Sequence, residues 1–478
     1  MSQSKSSLVQ VSPEELMPFF SELLSRSLLK GIIANMPGVT LYWRIFTPLI
    51  MLWCFILQRL NYDHSCDEIV SHLHTGVIDN IDPKDPHTIP LSQRLNSESN
   101  SAYVQGRNRL PLKLLQKASQ LIREETETWQ GEKGLWKGFS VRLLDGTTFR
   151  LPPEGDLVET YGQSSNQHGR NYWVKARAVA AFDLMSQVMV AIVEAAYAVG
   201  ETALVYKVMK QDNAFQSIYV GDINFGIYRV LQAVVATDKD CLFRLLPSRA
   251  KKLLKDNNLS TLHSGSDHRV AWQYSRKDKI IPDLPTPRVG GRLIYIRVAK
   301  DGFRPFDVYL FTTLCEVELY STAAICDLYS LRWQVEIDFR HIKTSLDMEF
   351  FAVKSAAMFR KELAAGLLAY NLICAFMVKA ALASDMLPTQ LSFSQCWRRV
   401  RALLLHGVPR WIYKQGVKPL LTHFLRRLSQ CKVYHAKHKI LHEPRKVRRK
   451  PNIYPALKGS RDDARQEVLQ NIILVPNS

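Results

Sequence analysis

Two aspartates follow apolar runs that have the character of buried β-strands. Asp145 ends the run FSVRLLD and precedes Gly146, and Asp222 ends the short run SIYVGD. In open α/β sheets, sites form outside the carboxyl ends of strands, and two carboxylates brought together there suit a divalent metal ion. The alternative, that each is only a turn or cap residue, stays open for either aspartate alone, because turns favour aspartate whatever the function.

A predicted helix carries four polar residues on one stripe: Tyr329, Arg332, Glu336 and Lys343. On an ideal α-helix this stripe is about 60° wide, whereas Asp338 falls on the opposite side. Such a face suits a metal ion beside phosphates, with Glu336 as ligand and Arg332 and Lys343 neutralising charge. Tyr329 would donate a hydrogen bond. The alternative is an Arg332–Glu336 ion pair on a solvated helix.

The spacing Tyr-x2-Arg-x3-Glu-x6-Lys resembles the signature of the insertion-sequence-four family of bacterial DDE transposases. Trp333, inside this spacing, also fits that group. The segments LLDGTTFRLP and YVGDINFG resemble the family's two aspartate strands, and the order Asp145, Asp222, Glu336 is the family's order. The resemblance extends over residues 138–375.

This resemblance implies an α/β fold with a ribonuclease-H-like catalytic domain, in which Asp145, Asp222 and Glu336 hold two magnesium or manganese ions. It also implies cleavage and joining of double-stranded DNA at transposon ends and target, with a homodimer in the synaptic complex. Two metal ions suit phosphodiester displacement because one side needs an activated nucleophile and the other a stabilised leaving oxygen.

Further residues are candidates for DNA contact. Arg244 and Arg170 could bind phosphate, although a solvated loop is the alternative for Arg170. Some members of the family that the chain resembles form a DNA hairpin in which one base is flipped out. A flipped base can stack on an exposed aromatic side chain whichever base it is. The candidates here are Trp333, Tyr309 and Trp272, with ordinary packing as the alternative for each.

Composition agrees with a nucleic-acid partner and argues against other classes. The chain has 478 residues with 63 Lys+Arg against 44 Asp+Glu, a net charge of +19 that suits a polyanion. Hydrophobic residues make up 46%, enough to exclude a mostly disordered chain. The apolar run at 48–57 is too short to span a bilayer. Eight scattered cysteines without a CxxC pair indicate reduced thiols and a cytoplasmic protein without membrane contact.

The elements that must position these residues divide the chain into three regions. Residues 1–130 show helical periodicity and are predicted to be a helical DNA-binding region. Residues 131–384 form the predicted catalytic domain, with strands and helices that suit a mixed sheet. Within it, residues 247–318 are predicted to be a β-rich insertion. Residues 385–478 are helical and then basic.

The basic cluster at 432–450 contains eight Lys/Arg and one Glu, a local charge of +7. It is either an arm on the DNA backbone or a solvated tail, and the catalytic hypothesis favours the arm because backbone contacts supply most nonspecific affinity. His438 and His442 have metal-ligand spacing, but the surrounding positive charge would repel a cation, so solvated histidines are the preferred interpretation.

The sequence therefore predicts a DDE transposase that acts on the terminal inverted repeats of its own element. One alternative is a ribonuclease-H-like nuclease that cleaves without strand transfer. The other is a transposase-derived DNA-binding protein without catalysis, against which the intact set of Asp145, Asp222 and Glu336 argues.

Overall fold

A mixed β-sheet of nine strands is the central feature of the computed structural model. The strands are β1 (Ser140–Leu151), β2 (Gln163–Asn166), β3 (Gly169–Asp183), β4 (Met189–Ala196), β5 (Ser217–Gly221), β6 (Asp240–Leu245), β7 (Ser266–Trp272), β8 (Val289–Val298) and β9 (Phe306–Thr312). They lie in the order β2-β3-β1-β5-β6-β9-β8-β7, and β4 pairs with β3 outside that path. The predicted α/β class is confirmed.

The structure describes only part of the chain. The described residues are 31, 34, 45–76, 79, 90–166, 169–259, 263–298, 306–404, 417–433 and 459–470. Most of the predicted basic cluster at 432–450, with His438 and His442, lies outside the described residues.

Helices surround the sheet. They are α1 (Pro48–Leu60), α2 (Cys66–His74), α3 (Leu91–Arg94), α4 (Ser101–Arg109), α5 (Leu112–Gln130), α6 (Leu157–Tyr161), α7 (Val205–Met209), α8 (Tyr228–Ala236), α9 (Pro247–Asp256), α10 (Thr322–Ser330), α11 (Gln334–Arg340), α12 (Ala356–Leu382), α13 (Phe393–Ala402), α14 (Val417–Leu428) and α15 (Arg461–Gln470).

The register of β1 decides where its polar residues stand. β1 pairs in parallel with β5 only as far as Leu144 opposite Gly221. It pairs antiparallel with β3 up to Leu151 opposite Val174. The expectation that this strand ends at Asp145 is therefore wrong, because pairing with β3 continues it beyond the point where β5 stops.

Two apolar cores cover the two faces of the sheet. In β1, Val141 and Leu143 belong to the core that α5 and α12 complete, whereas Leu144 belongs to the core formed with α7 and α8. This alternation is the two-residue period of a strand buried on both sides. The sheet is consequently held from both faces, which gives the strand ends a fixed platform.

The predicted insertion at 247–318 is rich in strands, and it extends the central sheet. Its strand β9 pairs antiparallel with β6, and β8 and β7 continue the same sheet outward. The segment also contains helix α9, at its start. The sequence predicted a β-rich segment here but gave no information on which edge of the sheet its strands would join.

Among the helices of the described residues, α12 is the one that is long and apolar enough to cross a membrane by length and composition. Its most apolar stretch is entirely buried inside the protein. A core helix meets the same criterion, and the Ser355 hydroxyl caps its first turn by accepting a hydrogen bond from the Met358 N–H.

By residue contacts, the chain divides into two compact units. The first comprises residues 1–298 and 306–434, so the N-terminal helices, the sheet and α12 to α14 belong together. The second comprises residues 299–305 and 435–478 and contains helix α15.

Candidate active site

The two aspartates are neighbours at the edge where parallel pairing stops. Leu144 of β1 stands opposite Gly221 of β5. Asp145 directly follows Leu144, and Asp222 directly follows Gly221. The Asp145 carboxylate accepts a hydrogen bond from the Gly146 N–H at 2.7 Å. The two strands thus bring both carboxylates to one place, as expected for residues at the ends of parallel strands.

The turn after Asp222 depends on close packing and a local hydrogen bond. The Asp222 carboxylate accepts a hydrogen bond from the Asn224 N–H at 2.9 Å, which holds the carboxylate against its own turn. A side chain at Gly226 would overlap the carbonyl of Arg244 on β6. Glycine at this position therefore lets the turn lie directly against the neighbouring strand.

Glu336 comes from a helical segment that is not one straight helix. α10 ends at Ser330, a 3-10 turn covers Leu331–Trp333, α11 carries Glu336, and a π-helical turn covers His341–Ser345. The prediction of a single regular helix is therefore wrong, since an ideal rotation of 100° per residue does not hold across those changes.

The apolar side of α11 fixes the orientation of Glu336. Val335 and Phe339 are buried, and the Phe339 ring packs edge-on against Phe182 of β3 at 5.1 Å. Asp338 is fully buried on that side, as its predicted position opposite Glu336 requires, and burial raises its pKa well above the usual range. Glu336 remains 42% exposed at the side chain.

Arg332 links Glu336 to an exposed aromatic ring. Its side chain is only 9% exposed and donates a hydrogen bond to Glu336 Oε1 at 3.0 Å. The guanidinium carbon also lies 4.6 Å from the centroid of the Trp333 ring. Arginine suits this position because a planar guanidinium can bond a carboxylate and stack on an aromatic ring together.

The three carboxylates belong to one electrostatic cluster. Burial, together with the negative charges of Asp222 and Glu336, raises the pKa of Asp145 from 3.8 to about 6, against the opposing effects of the Gly146 hydrogen bond and the Arg332 charge. Within the described ranges, no three acidic, histidine or cysteine side chains lie close enough together to ligate one metal ion. The carboxylates are therefore near one another but are not gathered at ligand distances.

Tyr329 and Arg244 lie on the Asp222 side of this cluster. Burial raises the pKa of the Tyr329 hydroxyl. The charges of Arg332, Arg244 and Asp222 act on this hydroxyl, and Arg332 also forms a hydrogen bond with it. Arg244, on β6, donates a hydrogen bond to the carbonyl of Asp307 at 3.3 Å. Tyr329, Arg332 and Arg244 thus provide donors beside the carboxylates.

Lys343 lies in a different environment, in the π-helical turn. Burial lowers its pKa, and the charged groups that act on it are Glu349 and Arg150. The predicted common stripe therefore does not extend to Lys343 in the structure, since the irregular helix redirects this side chain.

Arg170 stands far from the carboxylates along the same sheet. It is exposed near the start of β3 and pairs with Ser165 of β2, instead of lying in the predicted loop. Ala180, which pairs with Asp145, is ten residues further along β3. At a rise of about 3.3 Å per residue, that separation is about 33 Å.

The three base-stacking candidates differ in accessibility. Trp333 is 63% exposed beside Arg332. Tyr309 stacks on Tyr295 with ring centroids 4.9 Å apart. Trp272 is 5% exposed and contacts Phe311 edge-on at 5.2 Å, so it packs in the core.

One acidic neighbour was missed from the sequence. The Glu201 carboxylate lies so close to Gly146 that a side chain there would overlap it. The only sequence signal was the helix start at Gly200-Glu201, which says nothing about proximity to a strand sixty residues earlier. A side chain at residue 146 would therefore displace the Glu201 carboxylate from its place beside Asp145's strand.

Removing the Asp145 charge is expected to stabilise the metal-free protein. Because the folded-state pKa is raised from 3.8 to about 6, stability falls as pH rises through that interval and the full cost applies above it. Asp145→Asn should therefore increase the free energy of unfolding by about 1–3 kcal/mol at pH 7.5 and change it little at pH 4. Chemical denaturation at both pH values measures this, with Asp327→Asn, an exposed acid on α10, as the control. Equal gains at both pH values would contradict the raised pKa of Asp145.

Comparison with known proteins decides the family. Residues 136–372 match the family described as Transposase DDE domain. The transposase InsG of insertion sequence element IS4 from Escherichia coli (strain K12) is 23% identical over 397 residues, covering 80% of this chain and 82% of that protein. Together these two findings support the assignment of the chain as an IS4-family DDE transposase. The resemblance found in the sequence is thereby confirmed.

A solved structure is also similar at low level. The piggyBac transposase in a synaptic complex with hairpin DNA gives a TM-score of 0.38 and 11% identity, covering 91% of this chain and 89% of that one. No argument rests on that likeness. The mixed sheet with surrounding helices, together with the DDE-domain match, agrees with the predicted ribonuclease-H-like class.

Proposed function

We propose that this DDE transposase cleaves double-stranded DNA at the terminal inverted repeats of its own insertion sequence and joins the freed ends to target DNA. The observation that carries the proposal is the position of Asp145 and Asp222 directly after the last parallel pair of β1 and β5, with Glu336 within electrostatic reach of Asp145. A net charge of +19 supports DNA as the partner.

The donor set fits divalent metal ions, which the DDE family generally uses. Three carboxylates supply the hard oxygen ligands that magnesium and manganese prefer. Burial, with a smaller contribution from the charges of Asp222 and Glu336, raises the pKa of Asp145, and a bound cation would favour its charged form. Asp145, Asp222 and Glu336 are the residues that would hold two such ions. Bound there, the ions would activate the attacking oxygen and stabilise the leaving oxygen.

The remaining polar residues bind and orient the phosphate. A guanidinium has five N–H donors, so Arg332 retains donors for a phosphate oxygen beyond the one bonded to Glu336. Tyr329 donates its hydroxyl hydrogen and Arg244 adds positive charge on the Asp222 side. From beside the carboxylates, these groups offset the negative charge of the phosphate.

Two substrates separate strand transfer from simple cleavage. A labelled duplex that spans the transposon end should be cut in the presence of magnesium, and a pre-cut end with a free 3′-hydroxyl should be joined to a plasmid. Cutting without a joined product would favour the nuclease alternative. Neither product would favour a DNA-binding protein without catalysis.

We also propose that the protein acts in the cytoplasm, without membrane contact, as a homodimer that holds two DNA ends. Light scattering with and without an end duplex measures the mass of the complex: a particle of two chains with two DNA ends is expected, and a particle of one chain with one DNA end would contradict the homodimer. Deleting the basic cluster at 432–450 should also flatten the salt dependence of DNA affinity, because each phosphate contact releases counterions.

A further inference from the structure

A basic surface lies on the sheet, apart from the carboxylates. On β1 and β3, Thr148 stands opposite Arg177 and Arg150 opposite Lys175. Directly opposed residues of an antiparallel pair project on the same face. Arg150, Lys175 and Arg177 therefore share one face of the sheet, whereas Asp145, at an odd position of the same strand, projects on the other.

Exposed aromatic rings border these cations. Trp173, two residues before Lys175 and hence on the same face, is 37% exposed. Its ring contacts Phe350, which is 39% exposed, with centroids 4.9 Å apart. Tyr172 adds a third exposed ring at 4.9 Å from Trp173. Exposing such a cluster of aromatic rings to water is unfavourable, and exposed apolar patches of this kind mark interaction sites.

The charge on this face is positive and largely uncompensated. Lys175 and Arg177 lie over the ring of Tyr197, at 5.4 and 4.6 Å from its centroid. Among the residues that the structure describes, neither has a carboxylate within ion-pair distance. Arg150 pairs with Glu349, and Glu349 and Arg150 are also the charges nearest Lys343.

We propose that this basic-aromatic face, formed by Arg150, Trp173, Lys175, Arg177, Tyr197 and Phe350, binds a single-stranded DNA segment. Cations that track the backbone beside aromatic rings that stack on unpaired bases are the two components of single-strand recognition. Duplex DNA would use the cations but leave the rings without a partner, because its bases are already stacked.

The location gives this surface a role next to the proposed chemistry. Arg150 is five residues beyond Asp145 on β1, about 17 Å at the usual strand rise. Because Asp145 projects on the other face of the sheet, a DNA strand freed near the carboxylates would pass around the end of β1 to reach this face. The inference deepens the proposed function, on which it rests for its choice of DNA as ligand.

Binding of labelled oligothymidine and of a duplex of equal length, measured by fluorescence anisotropy in EDTA, tests the proposal. Trp173→Ala should weaken oligothymidine binding by about 5- to 150-fold, the loss of one stacked base, and change duplex binding by less than about twofold. Trp173→Phe should restore most of the affinity. Lys175→Ala with Arg177→Ala should reduce the salt slope for oligothymidine by about 1.4.

Matched controls come from exposed residues elsewhere. Phe215→Ala removes a ring that is 91% exposed, and Lys251→Ala with Lys252→Ala removes two exposed charges from α9; both should bind oligothymidine as the unaltered protein does if the effect is local. Wild-type affinity in Trp173→Ala, or an equal loss for both DNAs, would overturn the proposal. Because EDTA prevents cleavage, the result stands whether or not the proposed strand transfer is observed.

Discussion

Glu336→Ala is expected to abolish magnesium-dependent cleavage of a transposon end while leaving end binding intact. Losing a metal ligand removes several kcal/mol of transition-state stabilisation, a rate decrease of about a thousandfold or more. The side chain is 42% exposed and bonds only Arg332 among the described contacts. Truncation therefore leaves no core cavity, and the fold should survive.

The same loss is expected for Asp145→Ala and Asp222→Ala, because the three carboxylates form one cluster. Single-turnover cleavage of a labelled end and a gel-shift assay with the same DNA measure the two effects. Asp327→Ala, an exposed acid on the neighbouring helix α10, is the matched control and should cut normally. Normal cleavage by Glu336→Ala would refute its role, and the buried Asp338 could not replace it without rearrangement of α11.

Arg332→Lys is the second substitution with a large expected effect, even though it keeps the charge. The guanidinium bonds Glu336 at 3.0 Å and lies 4.6 Å from the Trp333 centroid. An ammonium group cannot reproduce the planar fork or the stacking. Losing a hydrogen bond to a charged group costs about 1.5–3 kcal/mol, so we expect cleavage to slow by about 10- to 150-fold.

Two neighbouring substitutions calibrate that result. Lys343→Arg should be mild, since this residue lies among Glu349 and Arg150 and contributes charge alone. Tyr329→Phe should fall between, because it loses one hydroxyl beside Arg332 and Asp222. The measurement is single-turnover cleavage at saturating magnesium. Arg332→Lys cutting at the wild-type rate would show that Arg332 is only a structural partner of Glu336.

Short-range patterns predicted the parts of the site that depend on local sequence. The apolar run SIYV before Gly221-Asp222 predicts a short buried strand, and β5 (Ser217–Gly221) is buried throughout. Helical spacing also predicts that Asp338 lies opposite Glu336, and Asp338 is buried there. In each case a local period coincides with burial, so the sequence alone is sufficient.

The parts that failed depend on partners distant in sequence. β1 continues past Asp145 because β3 pairs with it, and no property of Gly146 or Thr147 announces that pairing. Arg170 lies near the far end of the same β3 for the same reason. Lys343 leaves the predicted stripe because its helix changes from α to π geometry, which an ideal rotation cannot anticipate.

Manganese binding to the protein–DNA end complex tests the central claim, that Asp145, Asp222 and Glu336 form one divalent-metal site. Electron paramagnetic resonance of Mn²⁺ with the complex, at matched free metal, counts the bound ions directly. The account predicts that each of the three alanine variants loses bound manganese while Asp327→Ala retains the wild-type amount. Wild-type manganese binding in Glu336→Ala would contradict a shared site.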